Sequence, residues 1–506
     1  MRKAMLALSA GFILLLLAGC NGTMMNSQPA SPSVNSTSQV SLSITDDPPT
    51  GVTVLFFQIN LTAAFLTPAS SMGMGTGTVS LLNNNTPIQV DVTDLQAISA
   101  FLSAANVPTG TYNSLTLTFA TPLLVIFNEA NQSIASTCAV GSVCQLTPQI
   151  DNSATLTFTT SPFPVTVSQN MPLGFLVDFH LNNVVQSDLS VNLGVTNGVT
   201  IEPLPPTPPS GHRQFGFVRG TVQSVSSSKN QFAIQTRDGR MFTIDVDSST
   251  TYANFPTSVC PMSAFSCLAD GQIVKVQVED VVGPGELDAA EVDFVQVAAQ
   301  QVVEGNILSL STTNGTTTMK LLLHWSPDAG RLPFGAFATV TVASNATFSV
   351  DSGMFTIPSG LSFASASDLL MGQDVQVDVV AGSLSTASNT PNWAPPAVSF
   401  TTDTIELEPS QITGTITAIG SSGTSFTMTT FPSFFPLWTS GNWMPAQITV
   451  DTTSQTTFMG LNPDSFSGLT TNSLVSVRGW LFSTPSGATP STIVGETVLG
   501  RTDGFF

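Results

Sequence analysis

The chain has 506 residues, room for about three domains of ordinary size. Only 9% of them are charged, against about 25% in a typical soluble protein. Acids outnumber bases 32 to 12, which argues against nucleic acid, because a protein that grips phosphates needs a basic face. A hydrophobic content of 42% argues against wholesale disorder, and beyond the first 20 residues no apolar run reaches the ~18 residues of a membrane span.

Residues 1–20 read MRKAMLALSAGFILLLLAGC. Arg2 and Lys3 open the segment and an apolar stretch runs from Ala4 to Ala18, so 1–19 is expected to be a secretory signal peptide. The segment ends in Leu17-Ala18-Gly19-Cys20, which resembles a bacterial lipobox. That resemblance implies cleavage before Cys20, lipid attachment at Cys20, and a membrane anchor made of acyl chains, each buried CH₂ contributing about 0.8 kcal/mol. Asn21, where an Asp would retain the protein at the inner membrane, resembles the pattern of lipoproteins sorted to the outer membrane. Cleavage removes two bases and no acid, so close approach to anionic headgroups becomes still less favourable and the acyl chains must do the holding.

Residues 20–39 are rich in Ser, Asn, Thr and Pro and are expected to form a flexible tether. Strand alternation follows, as in Val40, Leu42 and Ile44, and again in Leu115, Leu117 and Phe119. Thr93-Asp94-Leu95-Gln96 fits a helix capping box. Leu95, Ile98 and Leu102 continue at helical spacing until Asn106 and Pro108, so this stretch predicts one short helix. Residues 40–202 therefore read as an antiparallel β-sandwich with one crossover helix. Ser43-Ile44-Thr45-Asp46-Asp47-Pro48, Asp91-Val92-Thr93-Asp94-Leu95, Pro108-Thr109-Gly110-Thr111-Tyr112 and Leu176-Val177-Asp178-Phe179 follow one another. That order resembles domain of unknown function 4382, which implies a transthyretin-like sandwich of a bacterial surface lipoprotein and brings no known activity. The chain departs from the family in the doubled acid Asp46-Asp47 and in His180, where a second acid is usual.

Cys138 and Cys144, and Cys260 and Cys267, form two local pairs. In an oxidising envelope compartment they are expected to be disulfides, whereas a shared metal site would lack both CxxC spacing and a nearby His. The Pro-rich run 203–213 reads as a semi-rigid linker.

Beyond it the sequence repeats. Each unit opens apolar-x-Gly-x-apolar: Val218/Gly220/Val222, Val303/Gly305/Ile307, Ile412/Gly414/Ile416. Each later carries Leu-x-x-Gly or Leu-x-x-Asn before an alternating strand: Leu268 to Gly271, Leu369 to Gly372, Leu469 to Asn472. Three units follow, 214–300, 301–409 and 410–506, expected as small antiparallel barrels or sandwiches. The first resembles domain of unknown function 5666, and the other two are more divergent. The fold class is therefore mainly β throughout.

No GxSxG, HExxH, GxGxxG or P-loop occurs, so neither a catalytic residue nor a cofactor or metal is implied. His180, His212 and His324 are expected to be structural. The acids Glu279, Asp280, Glu286, Asp288, Glu291 and Asp293 surround a predicted hairpin at Gly283-Pro284-Gly285 and read as a solvated, edge-protecting face. The repeat aligns the turn 236–240 with longer loops at 324–337 and 431–444, which carry Trp325, Phe434, Phe435, Trp438 and Trp443. Those aromatics are the candidate ligand surface; the bland alternative is a lid over each barrel. The expectation is a non-enzymatic, lipid-anchored cell-envelope protein with a binding or structural role and a glycan or envelope-protein partner. A polysaccharide-binding lipoprotein is the second reading and a carboxylate-dependent hydrolase the third.

Overall fold

The computed structural model describes residues 37–501 apart from 48–52, 70–76, 83–86, 96–99, 129–137, 139–142, 170–172, 205–215, 257–259, 261–263, 298–300, 387–397, 431–436, 440–441, 445–446, 484–490 and the single positions 152, 187, 284, 329 and 354. Cys20, His212, Phe434 and Phe435 lie outside the described residues, as do the side chains of Trp438 and Trp443. The fold is mainly β, and among the described residues no helix is long and apolar enough to cross a membrane.

The N-terminal module is a sandwich. In one sheet Val199–Leu204, Leu173–His180, Thr37–Asp47 and Ala100–Pro108 lie side by side. In the other, Thr53–Pro68 pairs along its length with Gly110–Phe127, whose far edge takes three short strands in turn. Leu115, Leu117 and Phe119 are buried, with Thr116 and Thr118 between them, as alternation requires. Phe119 meets Phe179 of the opposite sheet edge-to-face at 5.3 Å. The Tyr112 hydroxyl donates to the Pro108 carbonyl at 2.8 Å, which ties down the Pro-Thr-Gly-Thr-Tyr turn.

The helix expected from Thr93 does not form. Thr93–Leu95 is one 3₁₀ turn, and by Ala100 the chain is a strand paired with Thr37–Asp47. The reason is visible at Thr93: its hydroxyl accepts the Phe57 N–H at 3.1 Å and donates to Asp91 at 2.6 Å, so it is engaged by the adjoining strands of its own sheet rather than capping. Strand pairing then overrides the local helical period. The one α-helical turn of the described residues is Leu181–Val184.

Each repeat is a ring of five strands. The first uses Phe217–Ser226, Gln231–Gln235, Met241–Asp245, Gln272–Gly283 and Glu286–Val297. The second uses Val302–Thr313, Thr316–Trp325, Phe337–Val350, Asp374–Asp378 and Val398–Glu408. The third uses Ser410–Ile419, Ser425–Thr430, Gln447–Met459, Leu474–Phe482 and Ser491–Arg501. In all three the order around the ring is first, second, third, fifth, fourth. The barrels are not purely antiparallel, because the third and fifth strands run parallel in each. Parity requires this: five strands closed in a ring cannot all alternate in direction. This ring order is that of the OB-fold.

The repeated residues have structural work. Leu268, Leu369 and Leu469 are buried at the end of a 3₁₀ turn. Gly271, Gly372 and Asn472 follow at φ of +83°, +83° and +68°, a conformation that Gly and Asn adopt most readily. The strand glycine allows close approach: a Cβ on Gly220 would sit 2.8 Å from the Gln235 carbonyl oxygen, and one on Gly305 closer still to that of Leu322.

The modules are not separate beads. The described residues belong to one compact unit. Leu55, Phe56, Val125 and Phe127, on the outer side of the sandwich, bury against Leu322 of the second barrel. Trp480, Phe482 and Val494 of the third barrel join the core of the second. Ala100 pairs with Phe217, so the first sandwich sheet runs on into the first barrel.

Candidate functional site

Where the four modules meet, they line a half-open cavity of about 370 Å³. The sandwich contributes Asp91, and the first barrel contributes Arg219, Arg237, Arg240 and Lys275. The second contributes Glu304, His324, Trp325 and Glu408, and the third Arg478. Five of the chain's 12 bases therefore line one cavity.

Strand geometry brings them there. Arg219 and Lys275 are cross-strand neighbours on the first and fourth strands of barrel one. Arg219 pairs with Glu304, one residue before the repeat glycine of barrel two, and its guanidinium lies 4.5 Å over the Trp325 ring. Lys275 reaches Glu408 at 3.5 Å. Burial alone would lower both bases, but the facing acids outweigh it and hold both above their ordinary values. Arg240 donates to Asp238 and to the Leu102 carbonyl of the sandwich, each at 2.7 Å, while burial pulls its guanidinium down. Arg478 pairs with Glu496. Lys275 and Arg478 both stand over Phe217, at 5.2 and 5.3 Å from its ring centre.

Arg237 differs from these. Its guanidinium stacks on Phe334 at 3.7 Å, and its Nη1 is buried with no hydrogen-bond partner. Burial lowers its pKa to about 10, with only Asp328 opposing.

His324 lies between modules. Its Nδ1 meets Asp91 of the sandwich at 2.9 Å and its Nε2 meets Asn306. His180 contacts Thr200 at 3.3 Å within its own sheet. Both histidines are hydrogen-bonded to side chains of neighbouring elements.

A second cavity of about 210 Å³ lies beyond Phe217, lined among others by Glu291, Asp293, Asp351 and Glu496. Here the solvated reading of the acidic hairpin fails for two of its members. Asp293 is 8% exposed, and burial first, then Asp351, pushes its carboxyl well up. Glu291 is raised by the same two causes. The failure is one of register: Asp293 lies opposite Lys275 and Glu291 opposite Gln277, on the barrel face that the neighbouring modules cover. Asp293 Oδ1 is buried with no hydrogen-bond partner, whereas Asp351 Oδ1 accepts from Asn254. Among the described residues no group of His, Cys, Asp and Glu is arranged to hold a metal ion.

The three loops aligned by the repeat are the same connection, from second to third strand. In barrel two it turns inward: Trp325 lines the cavity, and Phe334 packs beside the sandwich residues Phe56 and Val125. In barrel three it contains the hairpin Leu437–Thr439 and Asn442–Met444, with Trp438 opposite Trp443. Cys138 and Cys144, and Cys260 and Cys267, are paired, with Cα atoms 5.7 Å apart in each case. Sequence reasoning looked to the aromatic loops and passed over Arg219, Arg237, Arg240, Lys275 and Arg478. The signal was their rarity, together with the alignment of Arg219 with Glu304 beside the repeat glycines.

No curated protein matches the chain. Residues 413–482 match the family described as Domain of unknown function (DUF5666), so that likeness falls on the third barrel rather than the first. Residues 37–200 match Domain of unknown function (DUF4382), which makes the sandwich, with its docking residue Asp91, similar to that family.

Proposed function

We propose that this is a non-enzymatic, lipid-anchored protein of a bacterial cell envelope whose sandwich and barrels act as one body in a binding or structural role. The observation that carries the reading is the shared junction: residues of all four modules line one cavity. Most of the charges there face one another, as Arg219 with Glu304 and Lys275 with Glu408. Charges engaged in this way hold modules in register and are not poised to move protons. The lipobox ending in Cys20 supports the anchor and Asn21 an outer-membrane address. The partner is a glycan or another envelope protein.

The test is a Cys20→Ala substitution in the full chain. The wild type is expected in the detergent-extracted membrane fraction with an acyl-shifted mass, and the variant is expected in the soluble fraction or as unprocessed precursor. Identical mass and partition for the two proteins would refute the anchor. Hydrolysis of any polysaccharide by the purified wild type would refute the non-enzymatic reading.

A further inference from the structure

We propose that the junction cavity binds a compact hydroxylated carboxylic acid of the hexuronate type, with Arg237 as the anchor for its carboxylate. The inference rests on the binding role proposed above and adds a ligand class and an anchoring residue. Four of the five bases lining the cavity have a carboxylate at ion-pair distance: Arg219 has Glu304, Arg240 has Asp238, Lys275 has Glu408 and Arg478 has Glu496. Arg237 retains a buried Nη1 with no partner. Its guanidinium carbon lies 3.7 Å from the centre of the Phe334 ring, which holds the group against that aromatic face. A carboxylate is the acceptor that a guanidinium meets with charge-assisted hydrogen bonds.

The rest of the lining selects the body of the ligand. Asp91, Asp238, Glu304, Asp374 and Glu408 are acceptors, and an ionised carboxylate offers about four lone-pair sites, more than one ion pair uses. Hydroxyl groups donate to such oxygens, whereas a hydrocarbon acid would leave them bare. The same five acids disfavour a doubly charged phosphate, because its second charge would face them without a further unpartnered base. A volume of about 370 Å³ is at the lower end for a ligand site and suits one sugar-sized molecule.

Isothermal titration of the full-length protein in detergent micelles at pH 7 tests this, with D-glucuronate, D-glucose, inorganic phosphate and a short oligoglucuronide as probes. Glucuronate is expected to bind, and glucose and phosphate to bind at least about tenfold more weakly, the factor lost with one charge-assisted pair. Arg237→Gln is expected to weaken glucuronate by the same factor. An oligoglucuronide that binds as well as the monomer identifies the terminus of a polymer as the source, and monomer-only binding identifies a free acid; both support the site. Glucuronate that does not bind, or that binds no better than glucose, overturns the proposal. So does a folded Arg237→Gln protein that binds glucuronate like the wild type, an outcome that leaves the broader binding role intact. Should Arg237→Gln fail to fold, the comparison of glucuronate with glucose on the wild type decides alone.

Discussion

Glu406, on the fifth strand of the second barrel, gives the sharpest test of the buried acid cluster. Its carboxylate accepts from Ser349 Oγ at 3.1 Å and from Gln376 Nε2 at 3.4 Å, yet its pKa is pushed up to about 7. Burial is the largest cause, followed by Asp351, with Asp378 and Glu304 adding to it. An ordinary Glu in the unfolded chain titrates near 4.5. The folded state therefore holds this proton more tightly than the unfolded state does. Stability is highest below about pH 4.5 as far as this group is concerned, and it falls as pH rises towards 7. A difference of about 2.5 units at 1.36 kcal/mol each corresponds to roughly 3 kcal/mol, fully lost above pH 7. Glu291, Asp293 and Asp378 are raised as well, burial first in each case, so they push the same way. Glu406→Gln mimics the protonated side chain. Urea unfolding at pH 5 and pH 8 is expected to find the variant within about 1 kcal/mol of wild type at pH 5, and roughly 2 to 3 kcal/mol more stable at pH 8. Parallel stability profiles for the two proteins would show that Glu406 is ionised without cost in the native state, and the reasoning would fail.

Three other outcomes follow from the packing. Arg219→Met leaves Glu304 buried without its partner and is expected to cost about 3 to 5 kcal/mol in urea unfolding, while Arg219→Met with Glu304→Met recovers most of that loss. Leu322→Ala empties the contact between the second barrel and the sandwich. It is expected to cost about 2 to 5 kcal/mol and to speed hydrogen exchange at 54–57 and 123–127. Non-reducing peptide mapping is expected to recover Cys138 linked to Cys144 and Cys260 linked to Cys267, and breaking either bridge should cost roughly 2 kcal/mol for so short a loop.

The sequence carried the periodic features well. Alternation placed Leu115, Leu117 and Phe119 inside, and the Leu-x-x-Gly motif marked a buried side chain followed by a left-handed turn. It misled at Thr93, where the capping pattern was real but the hydroxyl was engaged by Phe57 and Asp91, partners 36 and two residues away. The docking of the modules had a signal that alternation obscures. Val54-Leu55-Phe56-Phe57, Leu123-Leu124-Val125-Ile126-Phe127 and Leu321-Leu322-Leu323 are unbroken apolar runs, and a strand that is apolar on both faces is covered on both. The acids at Glu291 and Asp293 could not be placed from spacing, because whether a strand face meets solvent or another barrel depends on contacts more than fifty residues away, here with Asp351.

Repetition also poses a problem that the junction charges answer. Arg219, Glu304 and Thr413 occupy the same position in the three barrels, one residue before the repeat glycine. Their cross-strand neighbours are Lys275, Gln376 and Ser476. Three identical faces would set like against like, or would stack head to tail without a natural end. Here the first barrel presents two cations at this place, the second an acid and an amide, and the third two hydroxyls that bond each other at 2.6 Å. Arg219 finds Glu304 and Lys275 finds Glu408, both on the second barrel. A buried ion pair contributes little net stability over an apolar pair of the same shape, but a mismatched one is expensive. The charges therefore discriminate between packing arrangements more than they add to the strength of the chosen one. The apolar contacts of Leu322 with the sandwich, and of Trp480 with the second barrel's core, supply the strength. Divergence at two strand positions thus turns a repeat that could pair in several ways into one in which the first barrel has a single complementary partner.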